Sequence, residues 1–295
     1  EYLKNNFPEL KNTEITDFPV SILDEVTRQD IEEYLSYGSY YEKDGHEITN
    51  QERGKKRKLA SLRSFYNYFY EIEKITKNPA VLVPMPKIHE KEIIRLDPDE
   101  VATLLDLVEE GTKLTKKEQG YHEKTKIRDL ALLTLLLGTG IRVSECVGLN
   151  LKDLSFDEHC ITVIRKGNKI QKLYFSDFTE TYLQDYLSER ESKYKPAENE
   201  TALFLSRSGT RIGVRSLEKM VKKYVMAAGI SENKPITPHK LRSTYAMDMY
   251  AATRDIEIVR SQLGHSSVAT TSIYAKASDK SRIDVRNLIN NLDMH

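Results

Sequence analysis

The chain has 295 residues, 39% hydrophobic and 31% charged, a profile that fits a folded protein of two domains. No apolar run approaches the ~20 residues that span a bilayer, and no secretory signal opens the chain, so a reduced, cytoplasmic setting is expected. Cys146 and Cys160 form neither a disulfide framework nor a metal-ligand spacing, and 45 Lys plus Arg against 45 Asp plus Glu leave no net basic charge.

The chain opens at Glu1 and not at a methionine, which leaves room for an upstream segment. Residues 1–50 carry 4 basic and 12 acidic side chains, whereas residues 51–94 carry 10 basic and 5 acidic. The sign of the charge therefore reverses at one place. Before it, Thr27 and Asp30 stand at the cap and third positions of a helix reading T-R-Q-D-I-E-E-Y-L. The reversal falls at R-G-K-K-R-K-L-A-S-L-R-S-F-Y-N-Y-F-Y, residues 53–70. There Leu59, Leu62, Phe65, Tyr66 and Phe69 recur at helical spacing and describe one apolar face. Arg53, Lys55, Lys56, Arg57, Lys58 and Arg63 crowd the same element with almost no interleaved acid. A solvated face explains an ordinary charge run; six cations within eleven residues point instead to a phosphate backbone. Residues 1–80 read as a small all-helical domain with the aromatic cluster as its core.

Asn78-Pro79, Pro84 and Pro86 stop regular structure, and K-I-H-E-K-E-I-I-R follows as a polar connector. Domains are expected at 1–86 and 97–295, joined by a linker at 87–96. Asp97-Pro98-Asp99-Glu100 opens the next helix, V-A-T-L-L-D-L-V. The hydrophilic stretch 113–126 is expected to be an exposed loop or insertion. After it, I-R-D-L-A-L-L-T-L-L-L is apolar enough for a buried central helix. Gly138 and Gly140 then make a tight turn, with Arg142 and Glu145 three apart on the helical turn that follows. An arginine so placed is half buried and needs an anionic partner. Glu145 can hold it while the rest of its fork faces a ligand.

Residues 161–175 form a β-hairpin around a two-residue Gly167-Asn168 turn, bordered by Lys166 and Lys169. T-A-L-F-L-S reads as a further strand, and S-L-E-K-M-V-K-K-Y-V-M-A-A-G as a helix stopped by glycine. Thr237 supplies a capping hydroxyl and Pro238 the first position of another helix. His239 and Arg242 share one face near its N-terminus, where free amides and the dipole favour an anion. Gly264 breaks the chain, His265 follows, and a short helix capped by Ser266 or Ser267 carries Tyr274. On one continuous helix at ~100° per residue, His265 and Tyr274 would face opposite ways, so the break is what lets both reach one phosphate.

Arg142 after a glycine turn, Lys166 in a hairpin, His239-x-x-Arg242, and L-G-H-S-S-V-A-T-T-S-I-Y ending at Tyr274 occur in this order. Together they resemble the tyrosine recombinase (integrase) family over nearly the whole chain. R-K-L-A-S-L-R-S-F-Y-N-Y, followed by Asn78-Pro79-Ala80, looks like that family's core-binding domain. The resemblance implies a mainly α fold with a small β-hairpin or sheet. A helical, SAM-like core-binding domain and a mixed α/β catalytic domain would close as a clamp around double-stranded DNA. The implied activity is site-specific recombination through a covalent 3′-phosphotyrosyl intermediate, with no metal and no nucleotide cofactor. Both Xer-type resolution of chromosome dimers and integration or excision of a mobile element fit, in a nucleoid-associated protein.

By the same resemblance, Arg142 and Arg242 neutralise the non-bridging phosphate oxygens, and His239 hydrogen-bonds the phosphate or helps proton transfer. His265 orients the phosphate or the tyrosine, and Tyr274 attacks. Lys166 protonates the leaving 5′-hydroxyl, with Lys169 as its rival, and Glu145 supports Arg142. Two positions depart from the pattern: Arg165 stands where a glycine is common, and Ser243 where a histidine often follows the arginine. The tail after Tyr274, with Ile283, Leu288, Ile289 and Leu292, is expected to pass to a neighbouring subunit of a homo-tetramer on two duplexes. Packing on its own domain is the alternative. A type IB topoisomerase and a non-catalytic DNA-binding protein of this fold are the competing readings.

Overall fold

The computed structural model describes residues 2–43, 46–49, 51–88, 92–165, 167–230, 234–264, 271–275 and 277, with the backbone alone for 2, 6, 9, 41–43 and 46–49. Two compact units divide the chain, Glu1–Lys91 and Glu92–His295.

The first unit contains α1 (Tyr2–Asn6), α2 (Ile22–Glu25), α3 (Arg28–Tyr37), a hairpin of β1 (Tyr40–Lys43) and β2 (His46–Thr49), and α4 (Glu52–Glu71). Helix α3 starts where its sequence dictates. The Thr27 amide and hydroxyl donate to the Asp30 carboxylate at 2.7 and 2.6 Å, and the Asp30 amide returns to the Thr27 hydroxyl at 3.3 Å. Leu59 and Tyr66 of α4 are buried with Leu10, Ile22, Ile31 and Leu35 to make the core. The unit is not all-helical. Strands β1 and β2 pair antiparallel with Lys43 opposite His46. The signal lay in the sequence: Tyr, Ile and Thr flank Asp44-Gly45, a dipeptide favoured in two-residue hairpin turns.

The second unit is built around one long helix. Helix α5 (Pro98–Glu110) opens with the Asp97 amide on the Glu100 carboxylate at 2.7 Å and ends at Gly111, whose φ is 73°. Helix α6 then runs Lys116–Thr139. The expected loop at 113–126 is therefore mostly helix. Thr115 starts it, with its amide and hydroxyl on the Glu118 carboxylate at 3.0 and 2.6 Å. His122 and Thr125 turn inward to a buried network, while Lys116, Lys117, Gln119, Glu123 and Lys124 are exposed as expected. One Asp129 oxygen accepts from the hydroxyls of Thr125 and Tyr224, both at 2.9 Å, and Arg128 reaches the other at 2.7 Å. The C-terminal half of α6 is apolar all round, as expected, and Leu132, Leu133 and Leu135 are fully buried. Burial of each stabilises the fold by about 1.5–3 kcal/mol. Helices α5, α8 (Asp177–Tyr194) and α10 (Pro238–Thr253) pack around it, and α9 (Val214–Ala227), the expected glycine-stopped helix, packs on α5.

Four further expectations change. Gly138 lies inside α6, so Gly140, with φ 60°, makes the turn alone. T-A-L-F-L-S forms no strand, only the isolated bridges Asn150 to Ala202 and Leu205 to Arg211. Side chains take its carbonyls instead: Arg190 donates to Ala202 at 2.7 Å and Arg128 to Leu205 at 2.9 Å. The sheet has three antiparallel strands in the order β3 (Leu154–Ser155), β4 (Cys160–Arg165), β5 (Lys169–Tyr174). Arg165 pairs with Lys169, so three residues and not two connect β4 to β5. Thr237 precedes α10 without a side-chain capping bond, although Pro238 does take its first turn. Ile93 and Ile94 pack on the second unit, and the Leu96 amide donates to the Thr244 hydroxyl at 2.9 Å. Among the described residues no helix is long and apolar enough to cross a membrane.

Candidate active site

Helix α6 delivers the first arginine. A side chain at Gly140 would strike the ring of Tyr245, whose Cγ lies 3.0 Å from the Cβ position, so glycine serves both the turn and the close approach. Two residues on, Arg142 is the N-cap residue of α7 (Val143–Gly148). The Glu145 carboxylate accepts from the Arg142 amide at 3.0 Å and from its Nη1 at 2.6 Å. The arginine side chain keeps 39% of its surface, so it is half buried with its anionic partner in place, as its position demanded.

Arg242 comes from the second turn of α10 and is only 3% exposed. Its Nη1 donates to the Gly140 carbonyl at the end of α6, and its Nη2 to the Leu263 carbonyl at the end of α11 (Ile256–Leu263). Both carbonyls lie at the negative end of a helix, which offsets the cost of burying the cation. Burial first, then the nearby Arg142, lowers its pKa to about 10, so it stays charged at neutral pH.

His239 is exposed on the first turn of α10. Desolvation by its surroundings, followed by the charges of Lys240, Arg242 and Arg142, pushes its pKa below the ordinary 6.5. Its imidazole is neutral at pH 7 and able to accept a proton.

Residues 271–275 are helical and carry Tyr274, 5% exposed among Ala246, Met247, Val259 and Leu263. Burial raises its phenol pKa, while a hydrogen bond with Ser243 and the charge of Arg242 oppose that rise. The position that departs from the recombinase pattern thus touches the tyrosine itself. The structure brings Arg142, Glu145, Arg242 and Tyr274 into one electrostatic neighbourhood, with His239 beside the two arginines. Lys166 and His265 lie outside the described residues. Lys169 is exposed at the start of β5.

Reading the sequence assigned no role to Arg165, whose side chain is 7% exposed and pairs with Glu145 at 3.4 Å. Strand alternation carries the missed signal. Ile161 and Val163 are buried on one face of β4 while Ile164 is 67% exposed, so Arg165 is a cation at an inward position. Two guanidinium groups therefore pair with the Glu145 carboxylate and that of Arg242 lies within its electrostatic reach, leaving a positive excess suited to an anion.

The cations of α4 divide differently. Arg53, Lys56 and Arg57 are exposed, and Lys55 pairs with Glu52 at 3.2 Å. Lys58 donates to the Gly38 carbonyl at 3.1 Å. Arg63 braces its own unit, with Nε on the Ala80 carbonyl at 3.0 Å and Nη2 on that of Val83 at 2.6 Å. Among the described residues, one His/carboxylate group has metal-ligand spacing, namely His159, Asp177 and Glu180. It lies at the opposite end of β4 from Arg165, with His159 already paired to Glu180 at 2.6 Å.

The model of the Phage integrase family matches residues 94–281. The chain belongs to that family. It is a tyrosine recombinase, and members of this family cleave and rejoin DNA. This family member is 37% identical over 271 residues to the tyrosine recombinase XerC of Caldanaerobacter subterraneus subsp. tengcongensis, covering 90% of this chain and 69% of that protein. It is 33% identical over 303 residues to the tyrosine recombinase XerS of Streptococcus pyogenes serotype M12, covering 93% and 83%. In fold it is similar to the XerH recombinase in a post-cleavage complex with a palindromic difH substrate, with TM-score 0.68, 21% identity, and 98% and 77% of the two chains covered. The Tn1549 transposon integrase in complex with circular intermediate DNA gives TM-score 0.66 at 21% identity, covering 92% and 87%.

Proposed function

We propose that this recombinase cuts one strand of its DNA site with Tyr274 while Arg142 and Arg242 hold the phosphate. The observation that carries the reading is Arg242, buried between two helix ends next to Arg142 and within electrostatic reach of the phenol. A phosphodiester repels nucleophiles, and two preorganised guanidinium forks neutralise the charge that grows on its non-bridging oxygens. The Tyr274 oxygen bonds to phosphorus as the bond to O5′ breaks. Neutral His239 accepts the phenol proton or hydrogen-bonds the phosphate. The hairpin lysine, Lys166 or its rival Lys169, gives a proton to O5′. The phosphotyrosine conserves the bond energy, so a 5′-hydroxyl from a second duplex reverses the step without a nucleotide cofactor. Cations supply what a metal ion would, and the scheme uses none.

His265 orients the phosphate or the tyrosine, and Glu145 fixes Arg142. The exposed cations of α4 contact the DNA backbone from a core-binding domain at 1–86, joined through 87–96 to a catalytic domain at 97–295. The tail from 278, which lies outside the described residues, would pass to a neighbouring subunit of a homo-tetramer on two duplexes. Relatives named XerC and XerS favour resolution of chromosome dimers on the nucleoid over mobility of an element. A nicked suicide duplex should trap a covalent protein–DNA adduct that Tyr274→Phe abolishes while binding persists. Adduct formation by the phenylalanine variant would overturn the assignment. Joining of two sites, scored against simple supercoil relaxation, separates recombinase from topoisomerase.

A further inference from the structure

The inward face of the β4–β5 hairpin changes character along its length. Val163 and Leu173 are 3% and 1% exposed and anchor the base of the hairpin in the core. Beyond them the inward positions are Arg165 and Gln171, while the apolar pair Ile164 and Ile170 lies on the outward face, 67% and 73% exposed, and anchors nothing inward. What holds the far end is polar. Arg165 Nη1 donates to Gln171 Oε1, and its Nη2 to the Gln262 carbonyl at 3.2 Å. Gln171 Nε2 donates to the Ser261 and Gln262 carbonyls at 2.6 and 3.2 Å. These are carbonyls of the last turn of α11, at the helix end that favours a cation, and Ser261 also accepts from the Gly264 amide at 3.0 Å. Arg165 Nε approaches Glu145, the carboxylate that also holds Arg142. The fit is close. A Cβ at Gly264 would overlap the guanidinium, with Arg165 Cζ only 2.6 Å away, and Gly264 also has φ 60°.

We infer that Arg165 is a positioning residue that fastens the hairpin to the end of α11 and so presets the neighbouring lysine for the leaving oxygen. The inference rests on the reading of a hairpin lysine as proton donor. In cleavage, the Tyr274 oxygen–phosphorus bond forms, the phosphorus–O5′ bond breaks, and O5′ takes up a proton. With sulfur in place of O5′ the leaving thiolate needs no proton, so a defect in proton delivery disappears. A defect in folding or in the arginine clamp remains. The ratio of oxygen to sulfur rates is internal to each variant and does not depend on how much of a preparation is folded.

The test uses nicked duplexes carrying the sequence that the full chain selects from a random-sequence pool, with oxygen or sulfur at the scissile 5′ position. A general acid contributes about 10²–10⁴-fold, so Arg165→Gly should slow oxygen cleavage at least about tenfold and leave sulfur cleavage within about twofold of the unmodified protein. Gln171→Ala should show the same pattern more weakly, and Arg165→Lys should fall between. Equal slowing on both substrates, or no slowing on oxygen, would overturn the inference. Lys166→Ala and Lys169→Ala, run beside these, identify the proton donor separately. If sulfur rescues neither, the proton-donor reading fails, and amide exchange in β4 and β5 judges the fastener alone. Arg165→Gly should then speed that exchange at least about tenfold, as expected for local opening; unchanged exchange would overturn the fastener.

Discussion

The chain has two sets of cations, and they are opposites. Six lie within eleven residues of α4, and three of these, Arg53, Lys56 and Arg57, are exposed. The arginines of the second unit stand at 142, 165 and 242, far apart in sequence, and each is tied to a carboxylate or a helix end. Charge density along a sequence finds the first kind. Burial and fixed partners define the second, and only the second is preorganised for a transition state.

The largest effects should come from testing that difference inside the second set. Arg242→Ala removes the donor that two helix-end carbonyls share, so it should lower stability, by about 1–3 kcal/mol for each carbonyl left unpaired. Arg142→Ala, at a half-exposed side chain, should slow single-turnover cleavage about 10²–10³-fold with little change in melting. If the two variants melted alike, the contrast between a buried brace and an open clamp would be lost.

An intermediate effect concerns pH. The lowered pKa of His239 means that the imidazole stays neutral as pH falls through 6.5 and is protonated only below it. Cleavage should therefore hold through pH 6.5 and decline lower, and His239→Asn should flatten that decline. A decline centred above 6.5 would contradict the assignment.

The smallest effects belong to α4. Replacing Arg53, Lys56 or Arg57 by a neutral residue should reduce the salt slope of DNA binding by about 0.9 for each phosphate no longer neutralised. Arg63→Gln should instead lower the melting temperature and leave the slope unchanged, because its guanidinium braces the carbonyls of Ala80 and Val83.

The core was easy to read. Leu130–Leu136 is apolar but for Thr134, whose hydroxyl bonds back to the Leu130 carbonyl, and such a run has one home, the centre of a fold. Helix starts at Thr27 and Asp97 were legible because a capping box is local chemistry. In the stretch 113–126 the exposure was legible and the helix was not, because its inward residues His122 and Thr125 answer to Tyr224, about a hundred residues away, and to Asp129. In the site, order and spacing picked out Arg142, His239, Arg242 and Tyr274. They were silent on Arg165, whose partners Glu145 and Gln262 lie on other elements. Contacts between remote segments leave no periodicity to read.

The central claim is that one tyrosine of 17 carries the covalent bond. Proteolysis of the adduct trapped on a suicide duplex, followed by mass spectrometry of the peptide that keeps the nucleotide, tests it directly. The account predicts a nucleotide linked to Tyr274. A nucleotide on any other residue would contradict it.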